Sequence, residues 1–483
     1  MRRLHTVQKP HIILVILIVV ASFLRVYKLD TAGILFFDAG HDLITAHTAL
    51  ADGHLPLQGI ASSRPWLHQG PLAIWISMLV MLVAGTSTLA QSLVFALIGI
   101  AALIALYEFL TICVNKQVAH RAVAILAVMP LAVAHSRVPY HTTPIPVVLV
   151  FYVWAIHSLW HKASLKQLGI AILTGLVLIQ FELALIPLLL LIPYAFLRTK
   201  QKIQPQALWV VAVALILGLL PQLILSSTGA DPVLFSYGKF AIHQILNLPH
   251  TQIFSLAHLQ NTLQAFWMYG RRLFGVDSTV LGVIGGLSLL VSLLLLTRKA
   301  VQKKLPPAIE IVLVCFSIST LSYFIVGNPS EAYFPPYFIT IPILIAYACQ
   351  LLPQRVQILS TLALAAFVVS TAVAIYKTNF FVGTASSFRY ESVGESRALA
   401  RYFSAHAGGP SYRLTTSEGS DVSMPAFFDN IRWIAISEGL ATPSNQGRLF
   451  YLEGTDQPDP PESIFLRQFG TRRVYWALDQ GQL

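Results

Sequence analysis

Long apolar runs separated by short polar breaks dominate the first 377 residues. A helix crossing ~30 Å of hydrocarbon needs about 20 apolar residues. Candidate spans lie at about 11–27, 90–113, 118–136, 143–160, 166–181, 183–197, 207–226, 279–297, 307–327, 335–352 and 356–376, which makes eleven. The run Pro71–Ala84 has 14 residues, short for a crossing, and is expected to be a re-entrant or interfacial helix on the outer side. The apolar runs stop after residue 377. A mixed pattern follows, predicting a helix over Ser392–Ala407 and strands over Ser411–Thr416, Arg448–Glu453 and Arg473–Ala477. The chain therefore divides at 377/378, into a polytopic helical domain (1–377) and a small α/β domain (378–483).

Charge gives that pattern an orientation. Cations concentrate in cytoplasmic loops of membrane proteins. With the N-terminus inside, Arg2, Arg3, Lys9, Lys116, Arg121, Lys162, Lys166, Arg198, Lys200, Lys202, Arg298, Lys299, Lys303, Lys304 and Arg355 all fall on the cytoplasmic face, against eight cations outside. Crossing at 71–84 would invert every later loop. The same parity puts the stretches at about 28–89 and 227–278, and the tail, outside. The expected location is the cell (plasma or inner) membrane, with a cytoplasmic N-terminus and an extracytoplasmic C-terminal domain.

Composition narrows the class. The chain has 483 residues, 55% apolar and 11% charged, with a net charge of +11. Soluble domains carry near 25% charged residues, so soluble enzymes, disordered regulators and typical nucleic-acid binders are excluded. The tail holds nine Arg and eleven acids, so the positive excess belongs to the membrane domain and reads as topology. Cys113, Cys315 and Cys349 lie in apolar runs and offer neither metal spacing nor a disulfide framework.

Charges that remain on the outer face of so apolar a chain need a reason. Phe36-Phe37-Asp38-Ala39-Gly40-His41-Asp42 places two carboxylates four apart, on one face if a helix begins at Asp38. Either one carboxylate is a general base, or Asp38 merely caps a helix and Asp42 is solvated. Arg64, Trp66 and His68 follow in the same loop. His135-Ser136-Arg137-Val138-Pro139-Tyr140-His141, Gln180-Phe181-Glu182 and Asn328-Pro329-Ser330-Glu331-Ala332-Tyr333 end spans on that face. Arg271 and Arg272 either bind lipid phosphate or close the long outer loop, and Trp66 and Tyr333 are equally suited to an aromatic belt.

These pieces resemble the GT-C membrane glycosyltransferases, and most nearly glycosyltransferase family 39 and its bacterial relatives, which include protein O-mannosyltransferases and the aminoarabinose transferase of lipid A. Asp38-Ala-Gly-His-Asp42, Gly53-His-Leu-Pro-Leu-Gln-Gly59 and Gly70-Pro71-Leu-Ala-Ile-Trp75 are similar to the family's first outer loop. Ser136-Arg137…Tyr140-His141-Thr-Thr-Pro144, Gln180-Phe-Glu182 and Ala332-Tyr333-Phe-Pro-Pro-Tyr337 follow in family order. Ala39 stands where the family's Asp-Glu pair has Glu, His41 where Arg usually precedes the second Asp, and Glu182 where the Gln-x-His element has His.

The resemblance implies a GT-C fold with a large first outer loop. It implies inverting transfer of a sugar from a polyprenyl-phosphate donor to a glycan, lipid or protein acceptor. The base role carries over to Asp38, with Asp42 in reserve. Arg64, His68, Arg137, His141, Arg271 and Arg272 are the phosphate-binding candidates. His41, Trp66, Tyr140, Gln180, Glu182, Glu331 and Tyr333 are the substrate-binding ones. No cofactor is expected, although Asp38, Asp42 and Glu182 leave a divalent metal open, as in oligosaccharyltransferase relatives. Membrane lipids are expected partners and nucleic acid is not. Two other classes compete. A secondary transporter would show internal repeats and broken midplane helices, and a non-catalytic scaffold would only present its tail.

Overall fold

The computed structural model describes residues 12–33, 35, 38–61, 68–199, 205–227, 255–275, 279–326, 331–377, 392–415, 425–444, 446–454, 460, 463–469 and 472–477. The fold is mostly helical and ends in a small sheet. Among the described residues, Thr88–Cys113, Thr279–Val301, Pro307–Ile325 and Gln354–Tyr376 are long and apolar enough to span a membrane. Two bent pairs would raise the number to six, and Ile12–Val26, Leu72–Ala84, Ile145–His161, Leu165–Phe181 and Leu183–Thr199 are shorter apolar helices. The eleven-span expectation thus meets helices more broken than hydropathy suggested.

Proline explains much of the breakage. Lys116–Val128 and Pro130–Ser136 meet at 67°, and Ala207–Gly218 and Leu220–Ser227 at 72°. Pro130 has no N–H to return to the carbonyl of Leu126, and its ring crowds that carbonyl. The fully buried Arg25 fills the gap, donating from Nη2 to Leu126 O (3.2 Å) and from Nη1 to Ala127 O (2.9 Å). Pro187 likewise lies in a tight 3₁₀ turn, Leu183–Leu190, that precedes helix Leu191–Thr199.

The chain forms two compact units. One holds Met1–Arg25, Leu97–Val133 and Thr142–Tyr376; the other holds Val26–Ala96, Ala134–His141 and Lys377–Leu483. The tail thus groups with residues 26–96. In the first unit Pro335–Gln350 is the central helix, buried continuously from Pro335 to Leu344. Only 11% of the apolar window in Gln354–Tyr376 is buried, leaving Leu359, Leu362 and Val369 exposed. Bare apolar surface on that scale suits lipid rather than water.

In the second unit the tail builds a five-stranded sheet from β1 (Ser411–Thr415), β2 (Thr442–Pro443), β3 (Arg448–Gly454), β4 (Ser463–Phe469) and β5 (Arg472–Ala477), in the order β2-β1-β3-β5-β4. β1 runs parallel to β2 and β3, and β5 antiparallel to β3 and β4. Helix Val393–His406 starts at a capping box: Ser392 Oγ accepts from the Glu395 amide (3.1 Å) while Glu395 accepts from the Ser392 amide (3.0 Å). Phe403, Tyr412 and Phe450 pack together under the sheet. The three predicted strands are present, Thr416 lying outside the described residues. Helix Pro425–Glu438, β2 and β4 were not anticipated.

Candidate active site

The second unit gathers Asp38, His41, Asp42, Arg137, Tyr140 and His141. Helix Ala39–Ala51 begins after Asp38, the residue in the N-cap position. A capping side chain normally stands on extended backbone and accepts a first-turn N–H. Asp38 instead has φ −83° and ψ 13°, and its carboxylate makes no capping bond. Its charge is therefore not spent on the helix. Asp42 follows one turn later and is buried, so it is not the solvated residue of the simpler alternative. His141 Nδ1 lies 3.4 Å from Asp42 Oδ2, both side chains 4% exposed. His141 is delivered by a tight segment in which Arg137, wholly buried, donates to Ala32 O (3.1 Å). The Tyr140 ring sits against His141 at 4.0 Å between centroids.

The tail helix Pro425–Glu438 completes the surroundings. His41 Nδ1 pairs with Asp429 Oδ2 at 3.0 Å. Asn430 Oδ1 accepts from the Gly40 amide (2.8 Å), and Asn430 Nδ2 donates to Leu35 O (3.1 Å). Gly40 makes this approach possible, since a Cβ there would lie 2.5 Å from backbone atoms of Asp429 and Asn430. Alanine ordinarily favours a helix over glycine by up to about 1 kcal/mol. Gly40→Ala is expected to do the reverse, destabilising by about 1–3 kcal/mol through overpacking. The check is the melting temperature of the detergent-solubilised protein, and an unchanged or higher value would contradict the close contact.

Burial pushes the Asp38 carboxyl above its ordinary range. His141 opposes that rise, Asp42 reinforces it, and His41 and Asp429 act more weakly in opposite senses. His41 is held above the usual histidine range, chiefly by its hydrogen bond to Asp429; burial opposes this, and the charges of Asp429, Asp42 and Asp38 add to it. A raised histidine stabilises the fold below its unfolded pKa, ~6.5, and that stability is lost as pH rises through the folded value. Asp429→Asn is expected to return His41 toward the ordinary range and remove this pH dependence of stability. Titration of ¹³C-labelled histidines, with His41→Gln to assign the signal, reads the change.

The remaining candidates are placed as follows. Arg64 and Trp66 lie outside the described residues. His68 closes a small antiparallel bridge with Ala61 at the ends of that loop. In the first unit, Gln180 and Gln222 exchange two 2.9 Å hydrogen bonds, and Gln180 also reaches Gly218 O (2.8 Å). Glu182 caps the 3₁₀ turn through the Ala184 amide (3.0 Å). Arg272 pairs with the buried Glu331 at 3.1 Å, whereas Arg271 is exposed. Tyr333 stacks on Tyr323 at 6.0 Å. No group of three His, Cys, Asp or Glu side chains is gathered to hold a metal ion among the described residues. Asp429 and Asn430 were not foreseen. An Asp-Asn pair in an aromatic tail segment, 388 residues beyond His41, gives no local signal.

Comparison with known proteins matches this architecture. The chain has the fold of the GT-C membrane glycosyltransferases. Its residues 68–225 match the family model of dolichyl-phosphate-mannose-protein mannosyltransferases. ArnT from Cupriavidus metallidurans bound to undecaprenyl phosphate superposes with a TM-score of 0.56 at 12% identity, covering 97% of this chain and 98% of that one. The apo state of that protein gives 0.51 at 12% identity, over 96% and 97% of the two chains. No curated relative matches by sequence. The resemblance to GT-C glycosyltransferases of the family 39 type therefore stands on a sequence model and on fold together.

Proposed function

We propose that this protein is an inverting glycosyltransferase that moves a sugar from a polyprenyl-phosphate-linked donor to an acceptor hydroxyl or amine on the outer face of the membrane. The observation that carries the reading is the Asp38 carboxylate: partly buried, at a helix start, and not used as a cap. A likeness in fold to ArnT, which was crystallised with undecaprenyl phosphate, supports the donor class.

In this reading Asp38 removes the acceptor proton as the acceptor attacks the anomeric carbon from the face opposite the phosphate. The C–O bond to the lipid phosphate breaks, and the phosphate leaves with the electron pair. Asp42 and His141 form a buried pair that holds the second carboxylate in place beside Asp38. A cation is needed to offset the charge growing on the leaving group; Arg64 and His68, which follow Asp38 in the same stretch of sequence, are the first candidates to substitute. Membrane lipid surrounds the bare apolar helices, and the tail lies outside. Incubating the purified protein with a panel of polyprenyl-phosphate sugars and candidate acceptors tests this. The expected result is one donor consumed with inversion, read by mass spectrometry and NMR of the product. No turnover with any donor, or retention at the anomeric carbon, would overturn it.

A further inference from the structure

We infer that the tail helix Pro425–Glu438 is a positioning element of the Asp38 site, with Asn430 capping helix Ala39–Ala51 in place of Asp38 and so leaving the Asp38 carboxylate free for chemistry. The inference rests on the function proposed above. Every helix start leaves amides without intrahelical partners, and Gly40 carries one of them. The residue in the capping position is Asp38, whose carboxylate makes no such bond. The acceptor comes instead from Asn430 Oδ1, 390 residues away in sequence.

The same side chain uses its other end on Leu35 O. Asn430 thereby ties both flanks of the stretch that carries Asp38, and at 3% exposure it is shielded from competing water. A buried amide with donor and acceptor both satisfied fixes geometry more firmly than a rim contact does. Asp429, the preceding residue, holds His41 from the same helix. The tail is thus tied to the catalytic turn by two adjacent side chains. Had Asp38 capped its own helix, its carboxylate would have been held by backbone N–H groups, which favour the weakly basic ionised form. Capping from the tail removes that constraint.

Asn430→Ala in the full-length protein is expected to lower kcat about a hundredfold, as slight misplacement of a reacting group does, with the donor KM within about twofold. Hydrogen exchange at the Gly40 amide should become about tenfold faster, the size of one lost buried hydrogen bond. Asn430→Asp keeps the acceptor for Gly40, so exchange there stays slow. It also adds a carboxylate to the charges that already face Asp38: His41 and Asp42 on its own helix, His141 on segment 134–141, and Asp429 on the tail helix. The acid limb of kcat/KM should then move to higher pH by like-charge repulsion, which reports that position 430 faces Asp38 in the working enzyme. Wild-type kcat in Asn430→Ala, unchanged Gly40 exchange, or an unmoved acid limb in Asn430→Asp would each overturn the inference. If Asn430→Ala does not fold, the Asn430→Asp profile decides. If the wild type transfers no sugar at all, the functional reading fails, and the capping arrangement is judged on Gly40 exchange alone.

Discussion

Asp38→Asn is expected to lower sugar transfer by about 10²–10⁴-fold, the range for loss of a positioned general base, while the donor KM changes little. The substitution keeps size and polarity and removes only the ability to take a proton. Because burial raises the Asp38 carboxyl and the charges of Asp42 and Asp429 add to that rise, the acid limb of wild-type activity is expected above the ordinary carboxylate range. A carboxyl with a raised folded pKa supports the fold below its unfolded value, and that support is lost as pH climbs through the folded value. At neutral pH ionised Asp38 therefore weakens the fold, and Asp38→Asn is expected to melt at the same temperature or higher. Loss of activity with retained or increased stability is the combined outcome. Full activity in this variant would remove Asp38 from the base role. Loss of activity together with a lower melting temperature would show that the side chain is structural.

The second large effect concerns Arg25. Its guanidinium donates to the carbonyls of Leu126 and Ala127, where Pro130 breaks the helix ladder. Arg25→Met keeps the apolar stem and deletes the donors, leaving two buried carbonyls without them. An unsatisfied buried group costs about 1–3 kcal/mol, so the variant is expected to lose about 2–5 kcal/mol of stability. In a thermal melt this is a marked drop or failure to purify as a single species. Arg25→Lys should recover only part, since an ammonium lacks the planar fork that spans two carbonyls. The companion substitution Pro130→Ala returns an N–H to the position facing Leu126 O, and is expected to soften the effect of Arg25→Met. A melting temperature for Arg25→Met equal to wild type would show that the carbonyls find other partners.

Much of this protein is legible along the chain because lipid imposes a simple code. A helix in hydrocarbon must satisfy its own backbone and present apolar side chains, so apolar runs such as 90–113 and 279–297 declare themselves. The helix predicted over Ser392–Ala407 is present within a residue at each end, and the capping box that starts it is equally local. Helix breaks are less legible. Hydropathy reads 118–136 and 207–226 as continuous, while the geometry bends each sharply near a proline. In the tail, helix Pro425–Glu438 escaped notice because Phe-, Trp- and Ile-rich segments suit strands as well as helices.

For the candidate site, the acidic pair was visible because charge is rare in this chain, and its spacing of four suited a helix. The partner of Asp42 was visible only as one of several histidines and arginines. The sequence by itself determined the membrane class, the GT-C resemblance and the prominence of Asp38, because composition, periodicity and short motifs are local quantities. Tertiary structure alone decided what each polar side chain is committed to. It pairs His141 with Asp42, places Asn430 on Gly40 and Asp429 on His41, and spends Arg25 on a broken helix end. The physical reason is that a buried polar or charged group meets whichever partner the packing brings close, however far away that partner lies in the chain.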